Sequence, residues 1–176
     1  MTEMQALAQD QLPEVLVDCL KEAVAKTFAA ICGSEPVFQS GEDDGMVSEG
    51  VVGIISLIGD IAWTLMVGLP RETASAMALS FAGFEIDFDS EEIGDFAGEL
   101  ANTVGGDLQN RLDAIDVKAE LSVPTVTRGT NLRLMLPGNL LSICFHYGSS
   151  GGEFWIKLAS QRRDEADDGG CNAGGG

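Results

Sequence analysis

From residue 12 to 32, Leu12, Val15, Leu16, Cys19, Leu20, Ala23, Thr27, Phe28 and Ile31 recur three and four residues apart. That spacing lays one apolar stripe along a helix, with Pro13 tolerated in its first turn and Gly33 as its stop. Residues 34 to 45 lose the period and read as a loop, ending in the acidic turn Gly41-Glu42-Asp43-Asp44-Gly45. Val51 to Ile58 is rich in β-branched residues, Gly59-Asp60 has turn chemistry, and Ala62 to Leu69 is a second apolar run. Two such runs across so short a turn predict an antiparallel hairpin. Pro70 closes it and suits the first turn of a short helix over Thr73 to Ala82, with Ala74, Met77, Ala78 and Phe81 inward.

The longest periodic stretch follows the link Phe84 to Phe88. Between Ser90 and Ile115, advancing 100° per residue gathers Ile93, Ala97, Leu100, Val104, Leu108 and Ile115 on one arc, with Phe96 and Ala101 at its edges. On roughly the opposite side fall Asp95, Gly98, Glu99, Asn102, Gly106 and Gln109. Ser90 is placed to cap this helix, and Glu91 and Glu92 sit on the positive end of its dipole. Gly98, Gly105 and Gly106 each cost about 1 kcal/mol against alanine in a helix interior. Two explanations stay open. The glycines leave Asn102 protruding from nearly bare backbone, or they are relieved by close packing.

After Ile115 the period returns to two. Val117 to Val123 alternates before Pro124, and Thr130 to Leu136 sets Leu132, Leu134 and Leu136 on one side. Leu140 to Tyr147 and Glu153 to Ala159 form a last pair across Gly148-Ser149-Ser150-Gly151-Gly152. The pattern predicts an α+β fold. About six mostly antiparallel strands in hairpin order pack with three helices, which cover one or both faces of the sheet. Residues 1–161 are expected to form one domain. Residues 162–176, acidic and then glycine-rich, read as a disordered tail.

Composition narrows the chemistry. The 176 residues are 45% hydrophobic and 22% charged, enough for a sizeable core, and the net charge is −18. Such a surface repels nucleic acid and anionic lipid, so neither is an expected partner. No apolar run approaches the ~20 residues a bilayer needs, and Met1 to Leu12, without a basic start or an apolar core, is not expected to be a signal peptide. A soluble, cytoplasmic protein is expected. Cys19, Cys32, Cys144 and Cys171 are scattered without a C-x-x-C pair, and the first three sit in apolar runs, which suits a reducing compartment.

His146, the one histidine, lies inside a strand pattern and reads as a half-exposed sheet residue. There is no H-E-x-x-H, no phosphate-binding glycine loop, and no G-x-S-x-G elbow. What survives is the face bearing Glu99 and Asn102, an i, i+3 pair projecting from one side of a helix. Neither is a strong nucleophile or base at neutral pH, so the pair suits a reaction whose other groups come from a partner protein.

Asp95-x3-Glu99-x2-Asn102, within D-F-A-G-E-L-A-N and followed by Leu121-Ser122-Val123-Pro124, resembles the signature of the CheC/CheX/FliY chemotaxis phosphatases. The single copy of the motif is similar to the CheX branch. Further agreement comes from G-x-I-x-L-x-G-D over Gly53 to Asp60, L-P-x-E-T-A over Leu69 to Ala74, and P-T-V-x-x-G over Pro124 to Gly129. The resemblance spans about residues 12 to 160. After Asn102 the family often shows a G-N-x-K-like run, where this chain has Gly105-Gly106-Asp107-Leu108-Gln109, a departure that bears on partner choice.

The resemblance implies a phosphatase that removes the aspartyl phosphate of a CheY-type response regulator in chemotaxis or other two-component signalling. Asn102 corresponds to the amide that enters the receiver's active site and orients the attacking water. Glu99 corresponds to the acid that pairs with the receiver's lysine, and Asp95 to a supporting first motif position. No cofactor of its own is implied, since Mg2+ would belong to the receiver, and a homodimer is suggested. The alternative is a CheX-like adaptor that binds a receiver or flagellar switch component without turning it over.

Overall fold

The computed structural model describes residues 12–40, 46–137 and 140–161. In chain order the elements are helix α1 (Glu14–Cys32), strands β1 (Val37–Ser40), β2 (Met46–Gly59) and β3 (Ala62–Pro70), helices α2 (Arg71–Ala82) and α3 (Glu91–Asp113), and strands β4 (Ala119–Leu121), β5 (Thr125–Arg133), β6 (Leu140–Ser149) and β7 (Gly152–Gln161). The fold is α+β, as expected. The acidic turn Gly41 to Gly45 and the tail 162–176 lie outside the described residues.

All neighbouring strands pair antiparallel in one sheet, ordered β1-β6-β7-β3-β2-β4, with β5 also on β2. Both expected hairpins form, Ile58 facing Ala62 in one and Ser149 facing Gly152 in the other. The described residues hold seven strands rather than about six. The extra one, β1, lies in the stretch expected to be a loop. Four residues pairing at the sheet margin are too short to show an alternation.

The strands expected over Val117 to Val123 and Thr130 to Leu136 are displaced. β4 and β5 run end to end along the same edge of β2, with Leu121 opposite Leu57 and Thr125 opposite Ile54. Between them Ser122 stays tied to β2: its Oγ accepts from the Ser56 N–H at 3.0 Å, and its N–H donates to the Ser56 carbonyl at 2.9 Å. Pairing with β2 sets these boundaries. The leucine alternation still has a meaning, because Leu132, Leu134 and Leu136 pack on a second apolar cluster containing Val52, Met66 and Trp155. Met135, between two of them, is 87% exposed.

The three helices share the other cluster, so they cover one face of the sheet. Leu20 and Phe28 of α1, Val51 and Ile55 of β2, Leu65 of β3, Leu100, Val104 and Leu108 of α3 and Phe154 of β7 are fully buried or nearly so. Phe28 stacks on Phe154 at 3.8 Å between ring centroids, and Tyr147 stacks on Phe154 at 5.2 Å. Two residues expected inward are not. Val15, in the first turn of α1, lies 100° round from buried Leu16 and is exposed; Phe81, in the last turn of α2, is exposed as well. Among the described residues no helix is long and apolar enough to cross a membrane.

α3 lies almost against the backbone of β2. A Cβ added at Gly53 would come 2.4 Å from the Ala97 carbonyl oxygen and 2.9 Å from the Ala101 Cβ. Gly98 and Gly105, both buried, let side chains of β5, β4 and β2 approach the helix closely. Side chains there would begin 3.3 Å from Val126 Cγ2 and 3.0 Å from Leu121 Cδ2. Close packing therefore accounts for Gly98 and Gly105 but not for half-buried Gly106, where a Cβ would stand 4.0 Å from Leu121 Cδ1. Gly98 does not belong to the outer face on which the helical wheel placed it.

Polar contacts fix both ends of α3. Ser90 occupies the N-cap position, but its hydroxyl donates to the Asp87 carbonyl at 2.7 Å and makes no side-chain cap bond to the helix. Arg128 donates to the Phe88 carbonyl at 2.8 Å and to the Ser90 carbonyl, holding the entry loop. Further along, Gln109 donates to the Ala119 carbonyl at 2.6 Å. Asp107 accepts from Arg111 at 2.6 Å and from Lys26 of α1, and Arg111 also reaches Glu22 of α1. Asp107, in the run that departs from the family pattern, thus serves the contact between helices.

Two outcomes follow for stability. Gly53→Val forces side-chain carbons into the Ala97 backbone and is expected to lower stability by roughly 1–3 kcal/mol, read as a shift in the urea midpoint. A midpoint equal to wild type would contradict the contact. Burial alone would raise the Asp107 carboxyl, but hydrogen bonds from Lys26 and Arg111 outweigh it and hold the group below its ordinary value. A depressed carboxylate stabilises the fold above its unfolded value, near pH 4, and loses that effect as pH falls through the folded value. Asp107→Asn should therefore cost on the order of 1–3 kcal/mol at pH 7, a gap that narrows below about pH 4 in urea titrations across pH.

Candidate active site

The outer side of α3 carries the three residues singled out from the sequence. Asp95 and Glu99 are exposed one turn apart, and Asn102 follows, half-buried, three residues on. Among the described residues neither carboxylate has an ion-pair partner, and the Asn102 carboxamide has no hydrogen-bond partner. The next hydroxyl is already engaged, Thr103 Oγ1 donating to the Glu99 carbonyl at 2.8 Å. Buried Ile93, Ala97, Leu100 and Val104 anchor the inner side, so the ridge stands on a fixed base.

Alongside the ridge runs an open groove of about 640 Å³ between the first turns of α3 and the start of β5. Asp95, Gly98 and Glu99 line one wall, and Pro124, Val126 and Arg128 the other. The structure thus brings Asp95 and Glu99 into one groove and sets Asn102 just beyond its end, on the next turn. The proline of the motif acquires a physical reason here. Pro124 and Val126 press on the bare backbone at Gly98, within 3.3 to 3.9 Å of where a Cβ would stand, and so set how far α3 rises above the sheet.

Arg128 is the residue the sequence did not single out. It occupies an unspecified position of P-T-V-x-x-G, and its partners at Phe88 and Ser90 lie about forty residues away. Only the fold brings them together. It places a cation in the groove beside Asp95 and Glu91 while tying down the start of α3.

Among the described residues no histidine or cysteine lines the groove. His146 is half-buried in β6, as expected of a strand histidine, its Nε2 3.6 Å from Cys144 Sγ. Burial pushes the Cys19 and Cys32 thiols above their ordinary values, away from the reactive thiolate. Among the described residues no group of three or more His, Cys, Asp or Glu is placed to hold a metal ion. The ridge offers one carboxamide, which can donate and accept at once, and carboxylates able to pair with a cation.

Known proteins resemble this chain in sequence and in fold. The sequence model of a family described as "Chemotaxis phosphatase CheX" matches residues 51–147, a span from β2 through the whole of α3 to β6. The CheY-P phosphatase CheX of Thermotoga maritima is 25% identical over 133 residues, covering 73% of this chain and 84% of that protein. Among solved structures, a CheC-like superfamily protein from Shewanella sp. PV-4 superposes with a TM-score of 0.76 at 18% identity, over 84% of this chain and 98% of that one. A CheX from Borrelia burgdorferi, solved as a CheX-CheY-BeF3-Mg complex, superposes with a TM-score of 0.67 at 18% identity, over 84% and 97%. The match takes in the helix that carries Asp95, Glu99 and Asn102, the β2 strand beneath it and Pro124 beside it, and the chain belongs to the CheX family of chemotaxis phosphatases.

Proposed function

We propose that this protein hydrolyses the aspartyl phosphate of a CheY-type response regulator, with Asn102 orienting the water and Glu99 holding the partner. The observation that carries this reading is that the carboxamide and the carboxylate stand on the solvent side of one anchored helix without internal partners. A carboxamide kept out of hydrogen bonds to its own fold is available to another molecule's site. The Thermotoga relative, named a CheY-P phosphatase, and the Borrelia CheX captured with CheY support the same reading.

In the reaction, a water attacks phosphorus in line as the bond from phosphorus to the aspartyl oxygen breaks. Inorganic phosphate leaves and the receiver's carboxylate is restored. Little covalent help is needed, so positioning the water supplies much of the gain. Asn102 accepts a hydrogen bond from the water through its carbonyl oxygen, while its amide group donates to the phosphoryl oxygens. Glu99 pairs with the receiver's active-site lysine, and Asp95 supports that contact from one turn away. Mg2+ belongs to the receiver, where it neutralises charge on the phosphoryl group, and the work is done in the cytoplasm, where receivers act.

Asn102→Ala is expected to reduce the acceleration of phosphate loss by about 100-fold. Because the side chain is only half-buried and unpartnered, the unfolding midpoint should move by no more than about 2 °C. The assay follows a radiolabelled receiver with and without each variant. A variant as fast as wild type would refute the role of Asn102. Phosphorylation-dependent binding by the wild-type chain, with no change in phosphoryl lifetime, would give the adaptor instead.

A further inference from the structure

The position of Phe81 is not explained by the fold. α2 buries Thr73, Ala74, Met77 and Ala78 along one stripe, yet the next apolar position, Phe81, is 57% exposed. Phe84, just past the turn at Gly83, is 64% exposed. Phe81 makes one ring contact, to Phe96 of α3, at 5.7 Å between centroids and an interplanar angle of 49°. Two large aromatic side chains, three residues apart in the chain, thus stand mostly in water on a chain of net charge −18.

Their place relative to the ridge gives them meaning. Around the axis of α3, Glu99 lies about 60° from Phe96 and Asn102 about 120°, in the same sense. Phe96 therefore forms one flank of the ridge, as Gly98 forms the other. On the Gly98 side lies the polar groove with Arg128; on the Phe96 side is an apolar shelf made of Phe81, in contact with Phe96, and exposed Phe84, three residues on in the chain. A body that covered Glu99 and Asn102 and spread beyond them would meet the shelf next.

We propose that Phe81 and Phe84 form the second half of the docking surface for the receiver, and that this shelf sets which receiver is accepted. The inference rests on the phosphatase reading above. Charge decides the occupant. Glu91, Glu92, Asp95 and Glu99 face outward along the same helix. A second copy seated symmetrically on this face would oppose that row with its own, a like-charge contact that costs affinity. A receiver presents a lysine to Glu99, and a cation beside an apolar patch complements an acidic ridge beside an aromatic shelf. Buried aromatic anchors next to a polar contact are where binding energy concentrates. The ridge chemistry is common to all such receivers, so discrimination falls to the shelf.

The test is steady-state kinetics of the full chain against each stand-alone CheY-type receiver of its host, phosphorylated with acetyl phosphate. The double variant Phe81→Ser/Phe84→Ser should raise KM for the preferred receiver about tenfold, with kcat changed far less, and flatten the preference among receivers. Both side chains are exposed, so the far-ultraviolet circular dichroism spectrum should stay that of wild type. Asn102→Ala should do the reverse, lowering kcat with binding retained. A KM within twofold of wild type in an active, folded double variant overturns the shelf and leaves the phosphatase reading standing. So does a double variant that turns a wild-type dimer into a monomer in sedimentation while KM is unchanged, since the occupant is then a second copy. A wild-type chain that accelerates phosphate loss from none of the receivers removes both readings together.

Discussion

The contact on which the rest depends is backbone against backbone, where α3 crosses β2 at Gly53. There the Ala97 carbonyl sits where a side chain would otherwise be. Such an approach leaves no thickness of side chains to adjust, so the height of the helix above the sheet is set by covalent geometry. At two further points along α3, side chains of the sheet pack on bare helix backbone, Val126 at Gly98 and Leu121 and Ile55 at Gly105. Each glycine carries a helix-propensity cost of about 1 kcal/mol against alanine, offset by dispersion and apolar burial at the contact. The return is rigidity on the other side of the helix, where the unpartnered residues stand. In the proposed reaction, a carboxamide that holds a water in line tolerates little misplacement.

Electrostatics divides the molecule in the same way. The basic side chains near α3 are used inside the fold: Lys26 and Arg111 on Asp107 and Glu22, Lys118 on Asp113, Arg128 on the loop before the helix. What is left along the ridge is carboxylate. In the proposed reaction that leaves Glu99 to meet a lysine supplied by the partner. Charge on the ridge acts only at short range, because it is screened beyond about 8 Å at physiological ionic strength. In the proposed docking, short-range contacts govern recognition, and on this surface those are Glu99, Asn102 and the aromatic shelf.

Periodicity made the three helices, the two hairpins and the α+β class legible, because each buries one continuous stripe. It failed where partners distant in sequence decide the outcome. β1 exists because β6 offers it an edge, and β4 and β5 take their limits from β2 rather than from their own alternation. Phe81 fits the inward stripe of α2 by spacing, yet the helix ends before any element covers it. At the site, Asp95, Glu99 and Asn102 were visible as one face of a helix, since spacing alone fixes that. Arg128 was not, because its role depends on carbonyls about forty residues away. The glycines were visible as an anomaly, but only the sheet beneath them shows that they bring α3 close.

The most direct measurement is the side-chain amide resonance of Asn102 in a nitrogen–proton correlation spectrum of the full chain, titrated with a receiver held in its phosphorylated form by beryllofluoride and Mg2+. The expected result is that the Asn102 amide pair shifts or broadens together with the backbone of residues 95–103, while the Asn110 amide on the far turn stays in place. An Asn102 amide unmoved at saturation, with perturbations gathered elsewhere on the surface, would contradict the view of α3 as an anchored ridge that carries its carboxamide into a partner's site.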